Sequence, residues 1–301
     1  KTPFVEYLIR LLQSGRKLAV VSRGYKRKSK GMQVSDENAT AEILGDEPYQ
    51  IFRKYPKTLV VADSNRCRAI DYIEANHANV DAVILDDAFQ HRYVNAGLNI
   101  LLIDYNRPIS KDCMLPAGRL RDLKSAQKRA NIIVVTKCPK DLKPIDFNNL
   151  TKEIKPLPYQ DLFFATLDYY TPYHCLTGEK VELTKEQSLV LFTGIAKSEP
   201  LEEYLREQVK ELRSIKFADH HNYNNGDNDK IRAEFLKFAN ENRWIITTEK
   251  DAAKLSDFSD KIKERLIIIP VRVKILNEGD SVLSKKIRDY VEENRRNSQL
   301  S

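Results

Sequence analysis

Two adjacent carboxylates at the end of an apolar run are the residues best placed for chemistry. Ala82-Val83-Ile84-Leu85-Asp86-Asp87 leads four apolar positions straight into two acids, the form of a Walker B element. An acid at such a strand end can hold Mg²⁺, directly or through water, against nucleotide phosphates. The alternative is that Asp87 caps the next segment and Asp86 is merely solvated. The polar cluster Ala88-Phe89-Gln90-His91-Arg92 directly after a buried run favours the functional reading. Lys1-Thr2-Pro3 fits the same chemistry, because it opens an amphipathic stretch from Phe4 to Leu12 as Lys-Thr does at the close of G-x-x-x-x-G-K-S/T. The glycines of such a loop are expected upstream of residue 1. On Lys-Thr alone, an ordinary helix start is the simpler reading.

Phosphate chemistry also needs cations and a base. Five of the nine residues from Ser22 to Lys30 are cationic (Arg23, Lys26, Arg27, Lys28, Lys30), and Gly24 permits a sharp turn. Arg23 reads as a bidentate fork for a phosphate or an anionic headgroup. Most of the lysines stay undecided between that clamp and a solvated loop. Gly45-Asp46-Glu47-Pro48 sets two acids in a tight turn. Asp46 there either takes a proton from a substrate hydroxyl or forms an Asx turn without chemistry. Phe217-Ala218-Asp219-His220-His221-Asn222-Tyr223 ends a later apolar run. Adjacent histidines seldom bind one metal, yet one at a strand end can orient a carboxylate base. Thr247-Thr248-Glu249-Lys250-Asp251 closes another run and reads equally as a helix cap. Thr136-Lys137-Cys138-Pro139 imitates the N/T-K-x-D element that reads guanine, but Pro139 replaces the acid, so guanine specificity is poorly supported.

These groups need strands to hold them. Leu18–Ser22, Thr58–Ala62, Ala82–Asp86, Ile100–Asp104 and Ile132–Thr136 read as buried strands separated by helical stretches. Continuous Val/Ile/Leu runs of this kind mark a parallel sheet covered on both faces. A Pro- and Lys-rich stretch from Cys138 to Gln160 reads as a connection. A second set follows at Leu189–Thr193, Ser214–Phe217, Trp244–Thr248 and Leu266–Ile269, with a charged terminal helix from about Val282 to Arg295. The expected fold is two-lobed α/β. Residues 1–160 form a P-loop NTPase-like core with a mainly parallel sheet and helices on both faces. Residues 161–301 form a smaller α/β lobe, whose last helix can pack back on the core. Catalysis is expected at the carboxyl ends of the strands, in a cleft between the lobes.

Composition narrows the class. The 301 residues fit about two domains of about 150 residues each. No apolar run approaches the roughly 20 residues of a membrane span, and an upstream signal or anchor is left open. Cys67, Cys113, Cys138 and Cys175 form no C-x-x-C pair, which argues against a zinc site or a disulfide framework. A net charge of +7 points to an anionic partner: nucleotide, nucleic acid or acidic lipid. Nucleic acid is disfavoured, because no basic surface interleaved with aromatics is evident and the acids gather at strand ends.

In order along the chain, the motifs resemble the tetraacyldisaccharide 4'-kinase family of lipid A biosynthesis. They run from Lys1-Thr2-Pro3 through Ser22-Arg23-Gly24-Tyr25, Gly45-Asp46-Glu47-Pro48 and the Arg66 region to Asp86-Asp87-Ala88-Phe89-Gln90-His91-Arg92. Leu115-Pro116-Ala117-Gly118-Arg119-Leu120-Arg121-Asp122, Thr193-Gly194-Ile195-Ala196, Phe217–His221 and Thr248–Asp251 complete the set. The D-D-x-F-Q-H and L-P-A-G-x-L-R strings carry most of the specificity. Lys26 and Ala88 depart from the pattern, where glycine is expected.

The resemblance implies a P-loop kinase that moves the γ-phosphoryl of ATP to the 4'-hydroxyl of a tetraacylated glucosamine disaccharide 1-phosphate. It would be peripheral on the cytoplasmic face of the bacterial inner membrane, with ATP and Mg²⁺ as cofactors, an anionic glycolipid as substrate and no evident protein partner. On that reading Lys1 contacts the phosphates, Thr2 serves the metal, and Asp86 and Asp87 hold or orient it with help from Gln90. Asp46 is the base, with His220 orienting it across the cleft once the lobes close. Arg23, Arg66 and Arg121 neutralise the moving phosphoryl group or the substrate's 1-phosphate. A different P-loop phosphotransferase or NTPase with a soluble partner is the alternative.

Overall fold

A computed structural model of the chain describes residues 1–25, 27–195, 197–219, 221–255 and 258–300, with side chains described as far as Asn294. Lys26 and His220, both singled out in the sequence, lie outside the described residues. The chain divides into two compact units. One comprises Lys1–Ala39, Ile43–Asp168 and Arg272–Ser301, and the other Thr40–Glu42 and Tyr169–Val271.

The chain begins with α1 (Thr2–Leu12), β1 (Leu18–Ser22), β2 (Gln33–Val34), α2 (Ala41–Leu44), α3 (Asp46–Lys54), β3 (Leu59–Ala62) and α4 (Arg66–Asn76). It continues with β4 (Ala82–Leu85), β5 (Ile100–Asp104), β6 (Ile132–Thr136), α5 (Pro144–Ile154) and β7 (Asp161–Tyr169). Two four-stranded sheets result, ordered β2-β3-β1-β4 and β13-β7-β6-β5, where β13 is the late strand Val271–Ile275. In the first sheet β1 is parallel to both neighbours, with Val20 opposite Val60 and Ile84. In the second, Val134 of β6 stands opposite Leu102 and Phe163, again in parallel.

Alternation along these strands sorts the side chains to two faces. Val20, Val60, Val134 and Phe163 enter one core with Ile9 and Leu12 of α1 and Ile51 of α3. Ala19, Val21 and Val61 turn the other way onto Ala69 and Ile73 of α4. Both faces are covered, which is why the strands read as unbroken apolar runs. Pro3 lies in the first turn of α1, where its missing N–H leaves no bond unmade.

The second unit runs β8 (Tyr173–His174), β9 (Ser188–Thr193), α6 (Glu199–Gln208), β10 (Glu211–Lys216), α7 (Asn225–Leu236), β11 (Arg243–Thr248), α8 (Glu249–Ala252), α9 (Asp260–Lys263) and β12 (Leu266–Ile269). Its sheet is ordered β10-β9-β11-β12-β8, parallel except for β8. Val190 and Phe192 face Ile231 of α7, while Leu189 and Leu191 face Leu201 and Leu205 of α6. After β13 the chain ends in α10 (Gly279–Leu300).

The first unit departs from the sequence expectation in its boundary and in gaining β13, while the last helix packs back on it as that expectation allowed. Its boundary falls at Asp168 rather than at 160, because β7 continues the parallel ladder of β6. Its final segment, β13 and α10, closes the β7 edge and places Leu283 and Ile287 in the core beside α1. The stretch read as a bare connection also contains α5. Pro144 occupies its first turn, and the Asp146 carboxylate accepts the Lys143 N–H at 2.9 Å.

One polar contact fixes α10 on α1. The Tyr7 hydroxyl donates to Asp280 Oδ1 at 2.9 Å and lies 3.1 Å from Ser284 Oγ. Tyr7→Phe should lower stability by about 1 kcal/mol, seen as a fall in the urea midpoint. An unchanged midpoint would mean that apolar packing alone holds the helix.

Candidate active site

The parallel ladder places Asp86 where a strand-end acid should stand. Its N–H bonds to Val21 O at 2.8 Å, one step beyond β4, and its carboxylate accepts a long 3.4 Å bond from the Ser22 hydroxyl at the end of β1. Asp86 is buried, and desolvation pushes its pKa up, with Asp87 and Glu47 adding like charge. Lys1 pulls in the opposite direction. A buried carboxylate so placed is stabilised by an added cation.

Asp87 takes the other course. Its φ of 49° is in the left-handed region, which ends the strand sharply. Its carboxylate then meets Lys1 Nζ at 2.8 Å and the Arg121 guanidinium at 2.6 and 3.2 Å. Burial alone would raise this group, but hydrogen bonds from Arg121 and Lys1 hold it down at about 2. Thr2, half-buried, is the first residue of α1, and Gln90 is exposed on the loop after Asp87.

Among the described residues no three His, Cys, Asp or Glu side chains gather as a metal cluster. A phosphate-bound Mg²⁺ needs fewer protein ligands, because one or two carboxylates are joined by substrate oxygens and water. The all-oxygen set of Asp86, its neighbour Asp87 and Thr2, with Asp86 buried and weakly bonded, fits such a hard cation.

The arginines form a second group. Arg66, 3% exposed at the start of α4, donates to Asp63 O at 2.9 Å and to Asp86 O at 3.4 Å, while its Nε has no partner. Burial lowers its pKa, and the neighbouring charge of exposed Arg23 lowers it further. Two guanidiniums that repel one another, one with an unused buried donor, make a site that an anion would relieve. Arg27, read from sequence as part of a clamp or a solvated loop, is structural: its guanidinium donates to Ala62 O at 2.8 Å and to Gly31 O. Lys28 and Lys30 are exposed.

Asp46 reaches this region through two glycines. At φ 96° Gly45 sits at the N-cap of α3, and a Cβ there would lie 3.0 Å from the Gly24 Cα. A Cβ on Gly24 would stand 2.7 Å from Leu44 O. The S-R-G-Y and G-D-E-P motifs therefore cross backbone to backbone, with half-buried Asp46 opening α3.

Sequence reasoning quoted Asp112, Asp122, Arg92 or Arg129 only as parts of strings, or passed over them, and gave them no role. Asp122 accepts from Arg92 and Arg129 at 2.9 and 2.8 Å, and Arg129 also donates to Phe89 O at 2.7 Å while covering the Phe89 ring. These bonds join the loop after Asp87 to the loop that carries Arg121. Asp112 organises the latter by accepting from the N–H groups of Cys113 and Arg119. Gly118 is obligatory there, since a Cβ would lie 2.2 Å from Cys113 O. The L-P-A-G-R-L-R-D string was the available signal.

In the second unit three strand-end motifs converge on buried Asp251. Its carboxylate accepts from Gly194 N–H at 3.1 Å, the Tyr223 hydroxyl at 3.0 Å and the Thr248 hydroxyl at 2.7 Å. His221 stacks on Phe217 and pairs with Asp227 at 2.8 Å.

Because the Asp87 pKa is depressed in the folded state, its pairs stabilise the fold above about pH 4 and lose that contribution as pH falls toward 2. Arg121→Met should raise the Asp87 midpoint toward the ordinary carboxylate range, measured by carboxyl NMR titration. An unmoved midpoint would assign the effect to Lys1 alone.

Comparison with known proteins identifies the family. A family model described as Tetraacyldisaccharide-1-P 4'-kinase matches residues 1–291. The tetraacyldisaccharide 4'-kinase of Phocaeicola vulgatus is 41% identical over all of this chain and 85% of its own length. That of Flavobacterium johnsoniae is 40% identical over 98% of this chain and 84% of its own. A crystal structure of "apo" form LpxK from Aquifex aeolicus in complex with ATP superposes with a TM-score of 0.71. It is 28% identical and covers 96% of this chain and 83% of the other. With the motifs in order and the match running nearly end to end, the chain belongs to the tetraacyldisaccharide 4'-kinase family.

Proposed function

We propose that the chain transfers the γ-phosphoryl group of ATP to the 4'-hydroxyl of tetraacyldisaccharide 1-phosphate, the step that gives lipid IVA. The observation that carries this reading is the meeting of Lys1, Asp86, Asp87, Arg66 and Arg121 at the strand ends of a chain matched almost throughout by the family model. Phosphoryl transfer depends mainly on positioning and charge neutralisation, and this site is built from groups that do both.

Lys1 leaves Asp87 for the β- and γ-phosphates. Arg121 shares that carboxylate, so its fork is aligned before substrate arrives. Thr2 and Asp86 would hold Mg²⁺, with Asp87 joining them and Gln90 orienting the group. When bound, Mg²⁺ supplies charge neutralisation to the phosphate oxygens. Arg23 and Arg66 receive the moving phosphoryl group or the substrate's 1-phosphate. Asp46 accepts the proton of the 4'-hydroxyl.

The substrate is a lipid, so the protein works at the cytoplasmic face of the inner membrane as a peripheral enzyme. No helix among the described residues is long and apolar enough to cross a membrane. Exposed Tyr25, Lys28 and Lys30 offer an aromatic and cationic surface of the kind that meets anionic headgroups.

Asp46→Ala in the full-length enzyme should reduce kcat by about 10²–10⁴-fold with ATP binding little changed. The assay follows label from γ-labelled ATP into the lipid in detergent micelles. Undiminished turnover would remove Asp46 as base, and ATP hydrolysis without a lipid product would discard the substrate. Binding to anionic vesicles should weaken as salt rises; salt-independent binding would return Lys28 and Lys30 to a solvated role.

A further inference from the structure

Glu6 is a charged residue in the middle of an apolar interface. It is 1% exposed, on a helix whose neighbours Phe4, Val5, Ile9 and Leu12 are core residues. Its carboxylate reaches across to α3. Gln50 Nε2 donates to Oε1 at 2.8 Å, and Lys54 Nζ donates to Oε2 at 2.5 Å. The Tyr55 hydroxyl lies 3.5 Å from the same Oε2, and Arg10, one turn along α1, is 3.6 Å from it and donates to the Tyr55 hydroxyl at 3.0 Å.

The spacing of these residues gives the contact its meaning. Thr2, Glu6 and Arg10 recur every four residues along α1, and Asp46, Gln50 and Lys54 do so along α3, so each set follows one helix face. Glu6 is the fifth residue of α1 and Gln50 the fifth of α3. Their hydrogen bond therefore joins points that are each about 6 Å from the first residue of their helix. Those first residues are Thr2, beside the phosphate-gripping Lys1, and Asp46, the proposed base.

Adhesion between the helices does not require this carboxylate. Phe4, Leu11, Ile51 and Tyr55 already share one apolar cluster, and a buried ion pair is often no more stabilising than an apolar pair of the same size. What directional bonds add is a fixed axial register. We infer that Glu6 is a positioning residue, which sets the phosphate-binding end of α1 against the base-bearing end of α3. The inference rests on the kinase reading above.

The test is steady-state kinetics of the full-length protein with ATP and tetraacyldisaccharide 1-phosphate, beside thermal unfolding. Glu6→Ala should lower kcat by about 10- to 100-fold, as small misplacements of reacting groups do, with the KM for ATP within about twofold. Glu6→Gln keeps one acceptor oxygen, enough for Gln50 or Lys54 but not for both, and should recover part of kcat. The neutral double variant Glu6→Met with Lys54→Met should recover the Tm lost in Glu6→Ala but not the turnover. Wild-type kcat in Glu6→Ala, or recovery of kcat together with Tm in the double variant, would reduce Glu6 to a stabilising residue and overturn the inference. Asp46→Asn separates the two claims. Lipid turnover undiminished by that change removes the base, and the inference with it. Turnover lost in Asp46→Asn but kept in Glu6→Ala overturns the inference alone.

Discussion

The buried carboxylate of Asp86 is the constraint around which the first unit is arranged. A carboxylate taken out of water has its pKa raised unless a positive charge answers it. The fold answers only in part, with a long hydroxyl bond from Ser22 and the more distant charge of Lys1. Its neighbour Asp87 is treated oppositely, turned out by a left-handed backbone and gripped by two cations. Two adjacent acids thus play different parts. One keeps its demand for a cation, and the other holds in readiness the cations that a phosphate would need.

The scaffold around this pair is itself polar and locally over-determined. Asp122 holds two arginines, Asp112 holds two backbone N–H groups, and Gly118 lets the loop pass where a side chain would collide. Bonds to charged groups are stronger and more directional than apolar contacts. They keep two loops in a set relation on the surface of a unit whose core could not reach them. Arginine recurs in these positions because its planar fork can satisfy a carboxylate and a carbonyl together, as Arg129 does.

Much of this was legible in the sequence. The strands at 18–22, 100–104 and 132–136 stood out because their apolar runs show no polar alternation to hide them. The acids at 86 and 87 stood out because an apolar run stops against them. Other features were hidden for physical reasons. β7 begins Asp161-Leu162-Phe163 just after a Pro-rich stretch, and nothing local shows that it pairs with β6 across the 24 intervening residues. The partners of Arg121 and Asp122 are set by loops whose course follows from tertiary hydrogen bonds. Glu6 drew no notice within the amphipathic stretch of α1, since a sequence does not say that α3 places Gln50 and Lys54 beside it. Arg27 was misleading in the other direction, because a cation in a basic run can serve the backbone of its own loop.

The first unit breaks off at Asp168 and resumes at Arg272, with all of the second unit except Thr40–Glu42 made in between. During synthesis the ribosome therefore delivers α1 and β1 to β7 long before β13 and α10 exist. Through that interval the β7 edge lacks its neighbour, and α1 lacks Leu283, Ile287 and the Asp280 carboxylate that Tyr7 will meet. The second unit, drawn almost wholly from one continuous segment, can fold as it emerges. Translation thus makes most of the second unit before α1 has the last of its supports, Leu283, Ile287 and the Asp280 carboxylate.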